Sequence, residues 1–298
     1  MNRISAVRSA VTAAALLALG AGTLRAQRLD TTLTVRGQPR VSVSNLSGNI
    51  SIRSWSRAQI RVQAEYDRAD VEVTEAGGRV SVRTLSRRNS GEVDYTISVP
   101  RGTGVEINAV SSDVTMGDVC GDLNLSTISG DVQVDCVEGD AQIQTVSGDV
   151  TVSNVRTRHL DVGSTSGDVV VRTVHGGVGA HSVSGDVTMW QIDGDEVTAE
   201  TVSGEIDYDG RIADNGRYSF EAHSGDVTLR VAGTLNATVS VSTFSGDFSS
   251  DFPITIAPGS HNQREWEFRQ GSGSARVRLQ SFSGTINLRR GSGAPHEE

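Results

Sequence analysis

Residues 130–147 read GDVQVDCVEGDAQIQTVS, and this stretch decides the fold. From Val132 to Cys136, apolar residues alternate with polar ones, which is the pattern of a strand with one buried face. Gly139-Asp140 marks a turn, and the alternation resumes at Ala141. The stretch therefore predicts a coil of two short strands and two turns, without helical periodicity.

The Ser-Gly-Asp-Val motif of this coil recurs along the chain, at intervals of 18, 18, 19, 18, 19, 21, 21 and 38 residues. Self-similarity at a short period indicates one structural unit stacked on copies of itself. Ser112 occupies the first glycine position, and Gly284 ends the series after an interval of two coils. We expect the glycine and acidic positions to form a structural turn, and these residues are Gly130, Asp131, Gly148, Asp149, Gly167, Asp168, Gly185, Asp186, Gly204, Glu205, Gly225, Asp226, Gly246 and Asp247.

Two columns of equivalent residues favour parallel stacking over a series of β-hairpins. The column after the acidic position contains Val114, Val132, Val150, Val169, Val187, Ile206, Val227 and Phe248. The column before each Ser-Gly pair contains Ile128, Val146, Thr165, Val183, Val202, His223, Phe244 and Phe282. Hairpin strands would also alternate, but they do not require like residues one coil apart. We therefore predict an all-β, single-stranded β-solenoid (a β-helix), right-handed, with 18–21 residues per coil and successive copies stacked in parallel.

The two ends of the chain differ from the repeat. Arg3 and Arg8 precede the apolar stretch 11–19, and the small residue Ala26 follows, as in a signal peptide. An uncleaved anchor is the alternative, although this stretch is shorter than the about 20 residues that span a bilayer. The predicted organisation is a signal peptide at 1–26, an irregular β region or cap at 27–110, regular coils at 111–250, C-terminal coils and a cap at 251–290, and a disordered tail at 291–298.

The composition narrows the class of partner. The formal net charge is −9, and nucleic-acid binding requires a dense basic patch that this chain lacks. No later segment has the apolar length of a membrane helix, so we expect no transmembrane segment after signal cleavage. The predicted location of the exported protein is therefore the periplasm, the cell surface or the extracellular space, and we expect no cofactor.

Two cysteines leave two alternatives open. Cys120 and Cys136 belong to neighbouring coils, and alignment of the glycines makes them diagonal neighbours about 7–8 Å apart. An exported protein can form a disulfide there, but the bridge usually needs Cα atoms closer than about 6.8 Å. Two separate core thiols are the alternative, and a metal pair is not expected without further ligands nearby.

The column of carboxylates also has two interpretations. Stacked carboxylates about 4.8 Å apart repel each other by about 0.9 kcal/mol per neighbour in water, so something must offset this cost. Turn aspartates that accept backbone N–H groups would do so. The alternative is a Ca²⁺ ladder on Asp131, Asp149, Asp168 and Asp186, but calcium β-rolls supply more oxygen donors per turn.

An enzyme is the least favoured interpretation. Paired carboxylates about 5–9.5 Å apart can hydrolyse glycosides, but a carboxylate ladder supplies such spacings everywhere. No coil between 111 and 250 carries a long insertion that could build a cleft, so we expect no catalytic residues.

Other candidate residues are isolated in the sequence. The histidines His159, His175, His181 and His223 lack the spacing of metal ligands. Trp190 would be the best single contact residue for a ligand if it is exposed.

The chain resembles the putative-adhesin family of bacterial β-strand-repeat proteins, a domain of unknown function. The resemblance covers nearly the whole mature chain. It is carried by the Ser-Gly-Asp-Val coils and by three further motifs: residues 43–52 (VSNLSGNISI) with Trp55, residues 99–103 (VPRGT) and residues 281–286 (SFSGTI). It implies an exported β-solenoid and brings no catalytic residues.

We therefore expect a non-enzymatic, exported protein for adhesion or scaffolding at the cell envelope. Its repeated polar surface would bind an unidentified protein or glycan ligand by many weak contacts in register. The alternatives are self-association of solenoids end to end into filaments and a polysaccharide-active enzyme.

Overall fold

The structure is a computed structural model that describes residues 27–85, 91–254 and 265–291. The predicted signal peptide and nearly all of the predicted tail lie outside these ranges. The described residues form 24 β-strands and no helix, which confirms the all-β prediction.

The strands follow one another closely along the chain. The first eight are β1 (Gln27–Thr34), β2 (Arg40–Ser47), β3 (Ile50–Trp55), β4 (Gln59–Tyr66), β5 (Asp70–Ala76), β6 (Arg79–Leu85), β7 (Val93–Pro100) and β8 (Gly104–Ser111). The next eight are β9 (Val114–Gly117), β10 (Leu123–Ser129), β11 (Val132–Glu138), β12 (Ala141–Ser147), β13 (Val150–Ser166), β14 (Val169–Ser184), β15 (Val187–Asp193) and β16 (Glu196–Ser203). The last eight are β17 (Ile206–Gly210), β18 (Arg217–Ser224), β19 (Val227–Val231), β20 (Ala237–Ser245), β21 (Phe248–Ser250), β22 (Glu265–Gln270), β23 (Ala275–Ser283) and β24 (Ile286–Arg290).

Like residues of neighbouring coils pair in parallel register, so the architecture is solenoid-like. Val132 pairs with Val114 on one side and with Val150 on the other. The strand after each Ser-Gly-Asp turn belongs to what we call face 1, and the strand before each turn belongs to face 2. The long strands β13 and β14 contribute to both faces. Inward side chains of the two faces form one continuous buried core, which is why a single coil would not be stable alone.

At the N-terminal end, the order of the coils in space differs from their order in the chain. Strands β2 and β3 lie between the coil of β6 and β7 and the coil of β8 and β9. The buried amide of Asn45 joins all three, since it donates to Val93 O at 3.0 Å and to Ser112 Oγ at 3.2 Å. It also accepts from Thr84 Oγ1 at 2.9 Å. The motif at 43–52 is therefore an interior rung of the stack.

The C-terminal end is intercalated in the same way. Strand β23 pairs in parallel with β18 on one side and with β20 on the other, and β24 likewise lies between β19 and β21. The last coil in the sequence is thus the penultimate coil in space. The expectation that successive copies stack in chain order is therefore wrong for the C-terminal coils. In this stack any coil with the same repeat can pair with any other, so the repeat itself does not define the order.

Antiparallel strands cover the stack on both faces at one end and on face 2 at the other. At one end β4 pairs with β7, β1 pairs with β4, and β5 pairs with β6, all antiparallel. At the other end β22 pairs antiparallel with β20. These strands break the parallel pattern of the coils that they cover.

Candidate functional site: the Ser-Gly-Asp corner

The corner where face 2 turns into face 1 carries the repeated motif. The serine of each motif pairs directly with the serine of the next coil, and ten serines align in this way. In spatial order they are Ser47, Ser111, Ser129, Ser147, Ser166, Ser184, Ser203, Ser224, Ser283 and Ser245. The corner therefore presents an unbroken row of hydroxyl groups along the stack.

The glycine of the motif is required because neighbouring coils approach closely at this corner. A Cβ on Gly148 would stand 2.2 Å from the carbonyl oxygen of Gly130, and a Cβ on Gly167 would stand 2.2 Å from that of Gly148. Gly130 and Gly148 also have φ values of 120° and 140°, which residues other than glycine rarely adopt. The recurrent glycine is thus explained by contact between backbones.

A buried row of hydroxyl groups, which we did not predict from the sequence, lies behind this corner. Ser164 Oγ donates to Gly148 O at 3.1 Å, and Thr201 Oγ1 donates to Gly185 O at 3.0 Å. Serine or threonine stands three residues before most of the repeat glycines, so the signal was present in the sequence. Ser164 and Thr201 thus satisfy carbonyl groups that the tight turn removes from water, whereas the hydroxyls of Thr145 and Thr243 find no hydrogen-bond partner among the described residues.

The acidic column at the corner caps backbone groups of the next coil. The Oδ1 atoms of Asp113, Asp131, Asp149, Asp168 and Asp186 each accept the N–H of the next acidic residue at 2.8–3.0 Å. Such charge-assisted bonds offset the repulsion between stacked carboxylates. Within the described ranges, no three carboxylates of this column bring ligand atoms within 4.8 Å of one another. The geometry therefore supports a structural turn better than a calcium ladder, which needs at least six oxygens per ion.

The opposite corner contains the disulfide. Cys120 and Cys136 are bridged, with Cα atoms 5.0 Å apart. This distance is shorter than that of ordinary diagonal neighbours because both cysteines have positive φ values, of 50° and 70°. Cys136 belongs to a column of non-glycine residues whose backbone is in the left-handed conformation. The column consists of Asp118, Cys136, Asn154, Thr173 and Gln191. Both sulfurs and Glu138 lie close together, but sulfurs in a disulfide offer no thiolate to a metal.

Trp190 lies on the outer surface of face 1. Its side chain is 40% exposed, and the guanidinium of Arg172 from the preceding coil lies 4.6 Å from its ring centroid. The other tryptophans have structural contacts: Trp55 donates to Gln59 O at 2.6 Å, and Trp266 packs against Phe248. Trp190 is therefore the tryptophan most open to a ligand.

The histidines contact their own neighbours. His181 lies over Gly163, where a Cβ would stand 2.0 Å from its Nε2 atom, and its Nδ1 atom is 3.6 Å from Asp161. His175 is 3.5 Å from Asp193. In the described parts of the chain, the histidines join no group of three ligand atoms that could hold a metal ion.

The column that precedes each Ser-Gly pair points outward. Its valine, isoleucine and phenylalanine side chains are 40–53% exposed, because the Ser/Thr column next to it occupies the inward position. We call this column the apolar stripe. In spatial order it consists of Val110, Ile128, Val146, Thr165, Val183, Val202, His223, Phe282 and Phe244.

Among the described residues, two carboxylates have clearly shifted pKa values, and both shifts are downward. A hydrogen bond from Arg61 lowers the pKa of Asp30, and the backbone N–H of Arg290 together with Arg289 lowers that of Asp251. A general acid that works near neutral pH needs a raised pKa instead. These two carboxylates are thus stabilised as anions and do not form an acid–base pair.

Together, the parallel coils and the repeated corner define an all-β, solenoid-like repeat protein. Its described residues include no helix that is long and apolar enough to cross a membrane. The family model described as Toastrack DUF4097 matches residues 39–289. The chain therefore belongs to this family, a domain of unknown function, and the predicted resemblance to putative adhesins is confirmed.

Solved structures with similar folds have low sequence identity to this chain. A putative adhesin from Bacteroides fragilis is 14% identical, with a TM-score of 0.43 and coverage of 88% of this chain and 97% of the other. A putative lipid binding protein from Parabacteroides distasonis is 12% identical, with a TM-score of 0.42 and coverage of 87% and 96%. Similarity at this level carries no functional information. No curated protein matches the sequence.

Proposed function

We propose that this chain is an exported, non-enzymatic adhesion or scaffold protein of the bacterial cell envelope, built as a single-stranded, right-handed solenoid. The observation that carries the proposal is the row of ten serines in register at the Ser-Gly-Asp corner. Rungs about 4.8 Å apart repeat the same polar groups over about 43 Å. A polymeric partner can bind such a row at many points, so that weak contacts add up to useful avidity.

Other features support a binding role. Trp190 and Arg172 form an exposed aromatic and cationic pair on face 1, of the kind enriched at binding hot spots. The carboxylates at the corner are engaged by backbone N–H groups, which favours a structural role over catalysis. End-to-end filaments need open parallel edges, and antiparallel strands cover both faces at one end of the stack and face 2 at the other.

Binding to isolated cell envelopes of the producing bacterium tests the proposal. A triple variant, Ser147→Asn, Ser166→Asn and Ser184→Asn, alters three neighbouring rungs of the corner. The matched control, Thr115→Asn, Thr151→Asn and Thr188→Asn, alters outward positions of face 1. We expect saturable binding that falls at least tenfold in the serine variant and less than threefold in the threonine control.

Two results would contradict the proposal. Absence of saturable binding by the wild-type protein would remove the adhesion role. Turnover of envelope polysaccharides by the purified protein would replace it with the enzyme interpretation.

A further inference from the structure

The apolar stripe is an unusual feature of a surface that is otherwise polar. Seven of the ten large hydrophobic side chains that are exposed in the described residues belong to it. Scattered exposed hydrophobic residues are normal, but a continuous apolar patch marks an interaction surface. The polar ladders on which the proposed function rests do not account for this stripe.

The flanks of the stripe carry no acidic or arginine side chain over its first five rungs. On one side the outward residues two positions earlier are Asn108, Ser126, Gln144, Gly163 and His181. On the other side lie the serines of the corner. Partner association would therefore bury the section from Val110 to Val183 without removing a carboxylate or a guanidinium from water. Farther along, Glu200 and Glu221 border the stripe.

The aromatic end of the stripe is also suited to apolar contact. The ring of Phe282 lies between those of His223 and Phe244, with centroid distances of 4.9 and 4.7 Å and interplanar angles of 11° and 2°. Both faces of Phe282 are thus covered, and its edge remains at the surface. A sugar needs an open ring face on which to stack, so this end offers an apolar edge instead.

We propose that two copies of this chain associate side by side through their apolar stripes. A second copy carries apolar groups at the same spacing of about 4.8 Å, so the two stripes can interdigitate along their length. A two-fold axis makes the contact self-complementary and closes it at a dimer. The acidic column lies three residues beyond the stripe and disfavours an anionic lipid surface.

The size of the stripe predicts a weak, reversible dimer. Nine rungs about 4.8 Å apart span about 38 Å. A contact about 15 Å wide would bury about 600 Å² on each copy, at the lower limit of stable interfaces, which bury about 1,200–2,000 Å² in total. Because the corner serines adjoin the stripe, this contact would also cover them, so the dimer and the proposed ligand complex exclude each other. Salt should strengthen the association, because it screens the repulsion between the acidic columns of two negatively charged copies.

Sedimentation velocity over a range of protein concentrations tests this inference. The variant Val146→Glu/Val183→Glu places two charges in the stripe, whereas the control Val170→Glu places one charge on the outward surface of face 1. We expect the wild type and Val170→Glu to form dimers at concentrations of about 10–100 μM, and Val146→Glu/Val183→Glu to remain monomeric. Circular dichroism and the melting temperature check that each variant is folded.

A spin label locates the contact. With Thr165→Cys in the stripe, we expect strong dipolar coupling between two copies, and with Thr151→Cys on face 1 a clearly weaker coupling, because that site lies outside the contact. A wild-type protein that stays monomeric, a stripe variant that dimerises like the wild type, or assembly beyond a dimer would each overturn the proposal. Stripe-dependent binding of a monomeric wild type to phosphatidylcholine vesicles would overturn it in favour of a lipid partner.

Discussion

The backbone N–H of Thr285 donates to Oδ1 of Asp226 at 2.7 Å, across 59 residues of sequence. The same acidic position elsewhere bonds to the coil that follows it after 18 or 19 residues. The long step arises because β23 and β24 insert between two coils that precede them in the chain. The last Ser-Gly motif, at Ser283-Gly284, therefore pairs with a neighbouring coil on each side.

Hydrogen exchange should report this intercalation. We expect the amides of β23 to be protected as strongly as those of β12, because each strand has a parallel partner on both sides. Strands β1 and β22, each with one partner among the described strands, should exchange much faster. Exchange followed by mass spectrometry measures these rates. Rapid exchange of β23 would show that the C-terminal coil frays as an ordinary end.

The repeat glycines should tolerate no side chain. For Gly167→Ala we expect a loss of about 1–3 kcal/mol or more in the free energy of unfolding, because the new Cβ would meet the backbone of Gly148. The matched control is Gly117→Ala, since a Cβ there meets nothing within 4 Å. Its effect should be within about 0.5 kcal/mol. Equal losses in urea denaturation would contradict the steric explanation.

The protein should not need a metal ion at the acidic column for its stability. Asp168→Asn keeps an oxygen for the N–H of Asp186 while it removes one charge from the ladder. We expect it to leave the melting temperature unchanged or to raise it, whereas Asp168→Ala should cost about 1 kcal/mol. A chelator should have no effect on the wild type. If the chelator and Asp168→Asn both lower the melting temperature, the calcium interpretation is correct.

The disulfide should contribute to stability. Cys120 and Cys136 are 16 residues apart, and closure of a loop of that size is worth about 3 kcal/mol in the chain-entropy account. A reductant should therefore lower the melting temperature of the wild type. The variant Cys120→Ser/Cys136→Ser should start from the lower value and show no further change with reductant. A response of this variant to reductant would mean that the effect does not arise from the bridge.

Stability should fall at alkaline pH because of buried tyrosines. Burial raises the pKa of Tyr95 to about 12, against a weaker opposing effect of its hydrogen bond with Thr84. A raised folded-state pKa gives stability that is fully present below pH 10 and is lost as the pH rises from about 10 through about 12. Burial also raises the pKa of Tyr208 and Tyr218. Tyr95→Phe should therefore reduce, but not remove, the slope of unfolding free energy against pH in this range; an unchanged slope would contradict the assignment.

Local pattern was enough to predict much of this protein. Alternation along residues 132–136 predicts a strand with one buried face, and the recurrent Ser-Gly-Asp predicts the turn and its period. The structure has both features in parallel register. These predictions depend on residues that are neighbours in the chain or one period apart, so a single sequence contains the information.

The tertiary structure decided which coil contacts which. Because every coil carries nearly the same pattern, the sequence does not distinguish stacking in chain order from the intercalation of β2 and β23. It also left the Cys120–Cys136 distance undecided, since that depends on left-handed residues at the corner. Val146 points outward because its neighbour Thr145 points inward. The inward position of Thr145 depends on packing against the neighbouring coils, so the sequence alone does not define it.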